Sequence, residues 1–587
     1  MASIAPVAPA AAGRQTEGRP AVAPTRRGRW ATRRVDLIVS CMLALLAAGT
    51  AAAYWQLATA PFWFDEQVRA YDLTQPGLHT DLHNTYAPMA FGWMLLEKLA
   101  VLVLGAHEWA FRSPMILAWV LLGPAAYLVG RRLAPRPIAF GVAAALVVNP
   151  AVVYYAMQLK PYAVEALVTL ASVLVWSHAR ASGATRRRLG WYGALSGLGL
   201  LSVPAPFVIA PLLTLDLARA ARRRHAGWHA AANDLAAPAL AGAVVLVEMV
   251  AFVLPQTFDL HYPNWQGLFL PHGTAAVQVV ARQLPTFLAG SWTGLPLFGD
   301  PFFQEVVPPA LPSALALVGN LVVGALVLAG SWSVRRHPLG RGLVAVLLGG
   351  GLLQLVASGL REWPFGLTRV DLFVVPVIYL LAGAGLAALA RAAVSRRARG
   401  GVRPRQLRPG APSGAAPAWL GRAAFALALG VLSALVSYGV RGDLAIGRDL
   451  PLTRWDQGVR SAVARARQEA TAGTVAIVLL DGQGGFGRRG KGWAFYMDSY
   501  DYPGRLGRAP RVPLDATWFA TDDASGVSGA TGFLRSHPGA RQVLLYDWWG
   551  MGRDYVARQA EVLRAAGYHP AGEWTYAMSG TLTRWRH

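Results

Sequence analysis

The sequence holds a single cysteine, Cys41, in 587 residues, so it can form no internal disulfide. Charge is also scarce: Asp, Glu, Lys and Arg together make up 15%. Acids are the scarcer sign, 31 against 55 bases, which leaves a formal net charge of +24. No internal repeat is visible. Residues 1–34, rich in Ala, Pro and Arg, lack a cleavable signal pattern and are expected to form a disordered cytoplasmic N-terminus.

Apolar residues are abundant: 54% of the chain is hydrophobic, with 21 Trp and a mean hydropathy of +0.35. Several apolar runs reach or approach the roughly 20 residues that a spanning helix needs. The chain is therefore expected to be a polytopic membrane protein with Trp and Tyr at the interfaces. In a soluble protein the basic balance would suggest nucleic acid. Here the Arg excess sits in short loops between apolar runs, so membrane topology accounts for it and no nucleic-acid partner is expected.

Arg clusters at 26–34, 131–136, 180–188, 219–224, 335–341 and 391–408 mark the cytoplasmic side. They alternate with apolar runs at 36–57, 113–130, 137–153, 161–178, 236–254, 312–333, 341–359, 370–390 and 420–440. Only the interval from Arg188 to Arg219 is difficult. One span there would turn every later Arg cluster outward, whereas a hairpin turning at "SVPAP" (Ser202 to Pro206) keeps all of them inside. The hairpin reading gives about eleven spans. The stretch 87–105 carries adjacent Glu97 and Lys98 and is expected to lie along the outer interface.

The transmembrane domain thus covers 35–440. From 441 to 587 the composition turns polar, with β-rich runs at 474–480, 516–521 and 541–549 and helical patterns at 455–470 and 553–566. This predicts an extracytoplasmic α/β domain. Its "DGQGGFGRRGKG" (481–492) follows a strand but opens no helix and is no Walker loop, so it is expected to be a flexible glycine loop. Among its aromatics, Trp493, Phe495, Tyr496, Tyr500, Tyr502, Trp548 and Trp549 are better suited to core packing than to stacking on sugars.

The polar residues converge on the outer side. "APFWFDEQVRAYDL" (60–73) sets Asp65 and Glu66 beside Trp63 and Phe64 at the bilayer rim, on an extended loop. A partly buried carboxylate is a usable general base. Arg112, Lys160 and Arg369 stand at outer helix mouths, where basic residues are otherwise sparse. Three such cations facing two acids suit a phosphate-bearing ligand, with Arg112 the weaker third. His83, Asn84, Tyr86 and Tyr162 are candidates for substrate contacts. The spacing of His79, His83 and Asn84 does not specify a metal site, and no cofactor is expected. Glu248, inside an apolar run, is either functional or a packing partner.

The stretches "FWFDEQVRA", "YAPMAFGWMLLEKLAVLVLGAHEWAFRSP", "VVYYAMQLKPYAVE" and "WPFGLTRVDLFVVP" occur in that order. Together they resemble bacterial membrane glycosyltransferases of the GT-C fold, relatives of the protein O-mannosyltransferases, the lipid A aminoarabinose transferases and the rhizobial lipopolysaccharide galacturonosyltransferases. The resemblance covers roughly 35–390. It implies that a sugar passes from a polyprenyl-phosphate carrier to an acceptor on the outer face of the plasma (inner) membrane. The acceptor would be an envelope glycan, a glycolipid or a protein. Asp65 matches the family's catalytic acid, with Glu66 beside it, and Lys160 and Arg369 match basic positions near the donor phosphate. Where classical members read "HPPL", this chain reads "HNTYAPMA", so no family role passes to His83. A transporter or flippase of lipid-linked sugars is the alternative, although the paired inverted segments expected of one are absent. A non-catalytic assembly protein would not need the acid pair.

Overall fold

A computed structural model describes residues 26–62, 64–74, 88–223, 228–256, 269–293, 313–365, 370–400, 418–449, 457–471, 473–480, 493, 496, 514–521, 530–547, 553–576 and 580–587. Expectations that fall on residues 1–25, on His79, His83, Asn84 and Tyr86, on Arg369 and on the glycine loop lie outside the described residues. Residues 26–34, expected to be disordered with the rest of the N-terminus, are instead helical, because they continue the first apolar helix backward.

The first half of the chain runs through α1 (Arg26–Ala53), α2 (Trp55–Ala58), α3 (Phe64–Thr74), α4 (Phe91–Leu104), α5 (Glu108–Gly130), α6 (Arg136–Val147), α7 (Pro150–Ala156), α8 (Tyr162–Ala181), α9 (Thr185–Gly199) and α10 (Ala205–Arg223). Then come α11 (Trp228–Glu248), α12 (Thr274–Thr293), α13 (Ser313–Val334), α14 (Pro338–Ala345), α15 (Gly351–Gly359), α16 (Val375–Gly400) and α17 (Ala418–Asp449). Helices are the expected form here, because lipid offers no partner to an unpaired backbone N–H or C=O. Among the described residues, eight helices are long and apolar enough to cross a membrane, or up to nine if one bent pair forms a single span. That pair, α6 and α7, covers the predicted span 137–153. It bends by 52° at Val148–Asn149 because Pro150 has no N–H to continue the ladder. Asn149 caps α7, accepting from Ala151 N (3.1 Å) and Val152 N (3.3 Å), and donates to Ser291 O (2.8 Å) and the Tyr379 hydroxyl (3.0 Å). At the crossing of α13 and α16, a Cβ on Gly330 would overlap the Leu381 carbonyl and one on Gly385 the Leu326 carbonyl. Small residues at such crossings let helix backbones pack closely.

The two ends of the bundle differ chemically. One end gathers the Arg clusters, and its few acids are paired with them. Asp36 pairs with Arg131 (2.7 Å) and Arg136 (3.1 Å). Asp234, at the start of α11, pairs with Arg188 at the start of α9 (2.7 Å). Asp216 on α10 accepts from Trp176 Nε1 of α8 (2.8 Å) and from the Tyr192 hydroxyl of α9 (2.6 Å). These contacts require α9 to leave this end and α10 to return to it, which is the predicted hairpin. The α9–α10 turn instead meets α4 at the opposite end, where Gly92 N donates to Leu200 O (2.7 Å). Neither hairpin helix is among the eight: α9 has 15 residues, and α10 carries Asp216, Arg219, Arg222 and Arg223. If the Arg-rich end is cytoplasmic, a cysteine replacing Arg222 in a Cys41→Ser background should resist an impermeant maleimide in intact cells and react after permeabilisation. Labelling in intact cells would reverse the orientation.

The stretch 87–105 forms α4 as a 14-residue helix, which spans only about 21 Å at 1.5 Å per residue. Its faces are inverted: Glu97 is buried with Trp93, Met94 and Val101, while Leu95, Leu99, Leu102 and Val103 are exposed. Such a helix suits an apolar surround. Glu248 Oε1 accepts from Phe91 N (2.6 Å), and Gln256 brackets Met89, accepting from its N–H (2.8 Å) and donating to its carbonyl (3.1 Å). Glu248 therefore anchors the N-terminus of α4, where the helix dipole favours an acid.

The C-terminal unit adds α18 (Gln457–Glu469), β1 (Thr474–Leu480), β2 (Leu514–Thr521), α19 (Ala530–Ser536), β3 (Gln542–Asp547), α20 (Arg553–Ala565), β4 (His569–Tyr576) and β5 (Gly580–Arg586). The sheet order is β2-β1-β3-β5-β4; β1 is parallel to β2 and β3, and β5 is antiparallel to β3 and β4. Strands β4 and β5 were not foreseen, because their residues are polar and largely half-exposed. Strand alternation gives the sheet two apolar faces. Val475, Ile477, Val543 and Leu545 build a local core with Leu563 and Trp585. Ala476, Leu544 and Tyr546, with Val459 and Val463 of α18, join the core of the membrane bundle instead. The unit is thus packed onto the bundle, at the end opposite the Arg clusters. Trp493 and Tyr546 are buried and in ring contact (5.0 Å), in keeping with core packing.

Candidate active site

The acid pair does not sit on an extended loop. Asp65 and Glu66 occupy the first turn of α3, a position that favours carboxylates because the helix N–H groups there are unpaired. The side chain of Asp65 lies outside the described residues. Helix α3 was hard to foresee because it buries polar residues: Glu66, Gln67, Arg69 and Asp72 are all inaccessible to solvent or nearly so. No apolar stripe marks such a helix in the sequence, since its partners come from distant segments.

Glu66 organises three of those segments. Its carboxylate takes Arg112 Nε on Oε1 (3.2 Å) and Arg112 Nη2 on Oε2 (2.7 Å), and Leu159 N also donates to Oε1 (2.5 Å). Arg112 Nη1 donates to the carbonyls of Leu57 (2.8 Å), Ala58 (3.0 Å) and Ala60 (2.7 Å). The guanidinium also lies 5.0 Å from the centroid of the Phe62 ring. These contacts correct the expectation for Arg112. Its donors point at the protein's own oxygens, and it is 2% exposed, so it braces the site and is not directed at a donor phosphate. Glu66 is correspondingly the partner of a buried cation. Its geometry is that of a positioning group, since a bidentate pair of this kind fixes both orientation and spacing.

Through Leu159, Glu66 also fixes the turn that carries Lys160. Lys160 is buried, and of the residues that flank it in the chain Tyr154, Tyr155 and Tyr162 form an aromatic row whose neighbouring rings meet edge to face at 5.2 and 5.0 Å. The structure therefore brings Asp65, Glu66, Arg112, Lys160 and Tyr162 to one end of the bundle.

A second buried charge cluster lies one helical turn further along α3. Arg69 lies 5.5 Å from the Trp93 ring centroid and interacts electrostatically with Glu97 of α4 and Glu165 of α8. Glu97 is fully buried, and neither of its oxygens accepts a hydrogen bond. Burial pushes its carboxyl well above the usual range, while Arg69 pulls it down. Neighbouring Lys98 donates to Leu73 O at 3.3 Å, closing α4 onto the end of α3. The spacing of Arg69, four residues after Asp65, could have placed both on one helix face had the helix been recognised. Among the described residues, no group of three or more His, Cys, Asp or Glu could hold a metal.

No known family profile matches the chain, and no curated protein matches it. Among solved structures it is similar to ArnT from Cupriavidus metallidurans bound to undecaprenyl phosphate, at 13% identity and a TM-score of 0.49 over 93% of this chain and 98% of that one. The apo form of ArnT gives 14%, 0.48, 92% and 97% in the same terms. A third is the archaeal oligosaccharyltransferase AglB from Archaeoglobus fulgidus, in complex with an inhibitory peptide and a dolichol-phosphate. It gives 13% identity and a TM-score of 0.41 over 94% of this chain and 74% of that one. With TM-scores below 0.5, these likenesses assign no role to any residue here.

Proposed function

We propose that this protein is a GT-C membrane glycosyltransferase that moves a sugar from a polyprenyl-phosphate carrier to an acceptor hydroxyl on the outer face of the plasma membrane. The observation that carries this reading is the buried knot of Glu66, Arg112 and Leu159 N. It holds the first turn of α3, with Asp65, against the turn bearing Lys160, at the end of the bundle away from the Arg clusters. A base and a cation carried on two segments joined in this way suit displacement of a lipid-linked phosphate.

In the step, the acceptor oxygen forms a bond to the anomeric carbon while Asp65 takes its proton. The bond from that carbon to the phosphate oxygen breaks, and polyprenyl phosphate leaves with the electron pair. Attack opposite the leaving group inverts the anomeric centre. Lys160 and Arg369 bind the phosphate, whose charge grows as the bond breaks. The acceptor is an envelope glycan, a glycolipid or a protein. The direct test is to incubate purified protein with a panel of polyprenyl-phosphate sugars and measure release of polyprenyl phosphate. No release from any of them, with acceptor fractions from the cell envelope supplied, would remove the proposal. A charge-assisted contact contributes about 1.5–3 kcal/mol. Lys160→Ala should therefore raise the donor KM about tenfold to a hundredfold. An unchanged KM and turnover would leave Lys160 as a residue of the helix mouth alone.

A further inference from the structure

We propose that Tyr496 is a positioning residue for the acid-bearing helix α3, so that the α/β unit forms part of the site. The backbone of Phe62, two residues before α3 begins, is held on both sides. Its N–H donates to the Tyr496 hydroxyl at 2.8 Å, across 434 residues of sequence. Its carbonyl accepts from Gln67 Nε2 of α3 at 2.8 Å. The Phe62 ring is fully buried and meets Phe111 edge to face at 5.4 Å.

Tyr496 is itself 3% exposed and belongs to the apolar core that the α/β unit shares with the membrane helices. A second contact works on the other partner of the knot. Arg460 of α18 pairs with Glu108 of α5 at 3.1 Å. Phe62 stands four residues before Glu66, and Glu108 four residues before Arg112. The unit therefore holds both chain segments that carry the Glu66–Arg112 pair. The segment before a helix sets the direction in which its first turn sits, and small displacements of a reacting group cost large factors in rate. A hydroxyl at Phe62 N thus fixes where Asp65 stands. The catalytic part of this inference rests on the proposed transferase reading; the positioning part does not.

The test uses the full-length protein in detergent with Tyr496→Phe, which keeps the ring and removes the hydroxyl. Hydrogen exchange over 60–68 should quicken about tenfold, as expected for a buried N–H that loses its partner. Exchange over β1 and β3 should stay as in the wild type. With a polyprenyl-phosphate sugar donor, kcat should fall about tenfold, equivalent to about 1.4 kcal/mol, with donor KM within about twofold. Arg460→Ala should act in the same direction at α5. Unchanged exchange at 60–68 overturns the positioning role. Quickened exchange throughout the sheet also overturns it, because Tyr496 would then be a general stabiliser. Quickened local exchange with unchanged kcat cuts the link to the site. If the wild type accepts no sugar donor, the transferase reading fails, and exchange alone decides whether Tyr496 orders α3.

Discussion

Asp65→Asn should abolish sugar transfer while the protein still folds and still binds its donor lipid. The carboxamide nearly matches the carboxylate in volume, so the first turn of α3 should keep its backbone. It cannot accept the acceptor's proton, and the nucleophile would stay a neutral hydroxyl. General-base assistance contributes typically about 10²–10⁴-fold, and misorientation of the acceptor adds to the loss. The donor KM should change little, because the phosphate is assigned to Lys160 and Arg369. A variant that keeps more than about a tenth of the wild-type rate would remove Asp65 as the base. Folding is checked by the melting temperature of the purified protein, which should stay near that of the wild type.

Arg112→Ala should cost more stability than any other single change in the site. Glu66 would be left as a buried acid whose counter-ion is gone, and the carbonyls of Leu57, Ala58 and Ala60 would lose a shared donor. Breaking a buried ion pair by removing one partner costs about 3–5 kcal/mol. Glu66→Gln should also destabilise the protein, since it strands the Arg112 charge, although the amide can still accept from Leu159 N. Arg112→Lys should fail to rescue, because an ammonium cannot serve a carboxylate and three carbonyls from one plane. The measurement is thermal unfolding in detergent, with the double variant Glu66→Gln, Arg112→Ala closing the cycle. The two single losses should be strongly non-additive. Additive effects, or a wild-type melting curve for Arg112→Ala, would show that the pair does not hold the site together.

These two expectations divide the two acids that stand side by side in the chain. From sequence alone, Glu66 and Asp65 look equivalent, and Arg112 looks like a cation waiting for a phosphate. Only the fold separates them. A residue's partner is set by which segments meet, and Glu66 meets Arg112 and Leu159, which lie 46 and 93 residues away.

The sequence by itself determined what depends on local composition and sidedness. Lipid demands continuous apolar helices, so α1, α5, α8, α11, α13 and α16 stand close to their expected places. Arg clusters alternate with those runs, so the bundle has one Arg-rich end, and the 185–223 hairpin follows from the same count. Strands β1 and β3 were legible because central parallel strands are apolar throughout. Tertiary structure alone decided the rest. The bend at Asn149 is stabilised by acceptors on α12 and α16 that no window of sequence contains. Strand β4 is polar at the sheet edge and β5 lies beside it, and both exist through their pairing. Helix α3 hides polar side chains among charges from α4, α5 and α8, which erases the periodicity that would announce it. Glu248 and Tyr496 likewise gain their meaning from backbone N–H groups 157 and 434 residues distant, since a buried donor must find an acceptor wherever the fold supplies one.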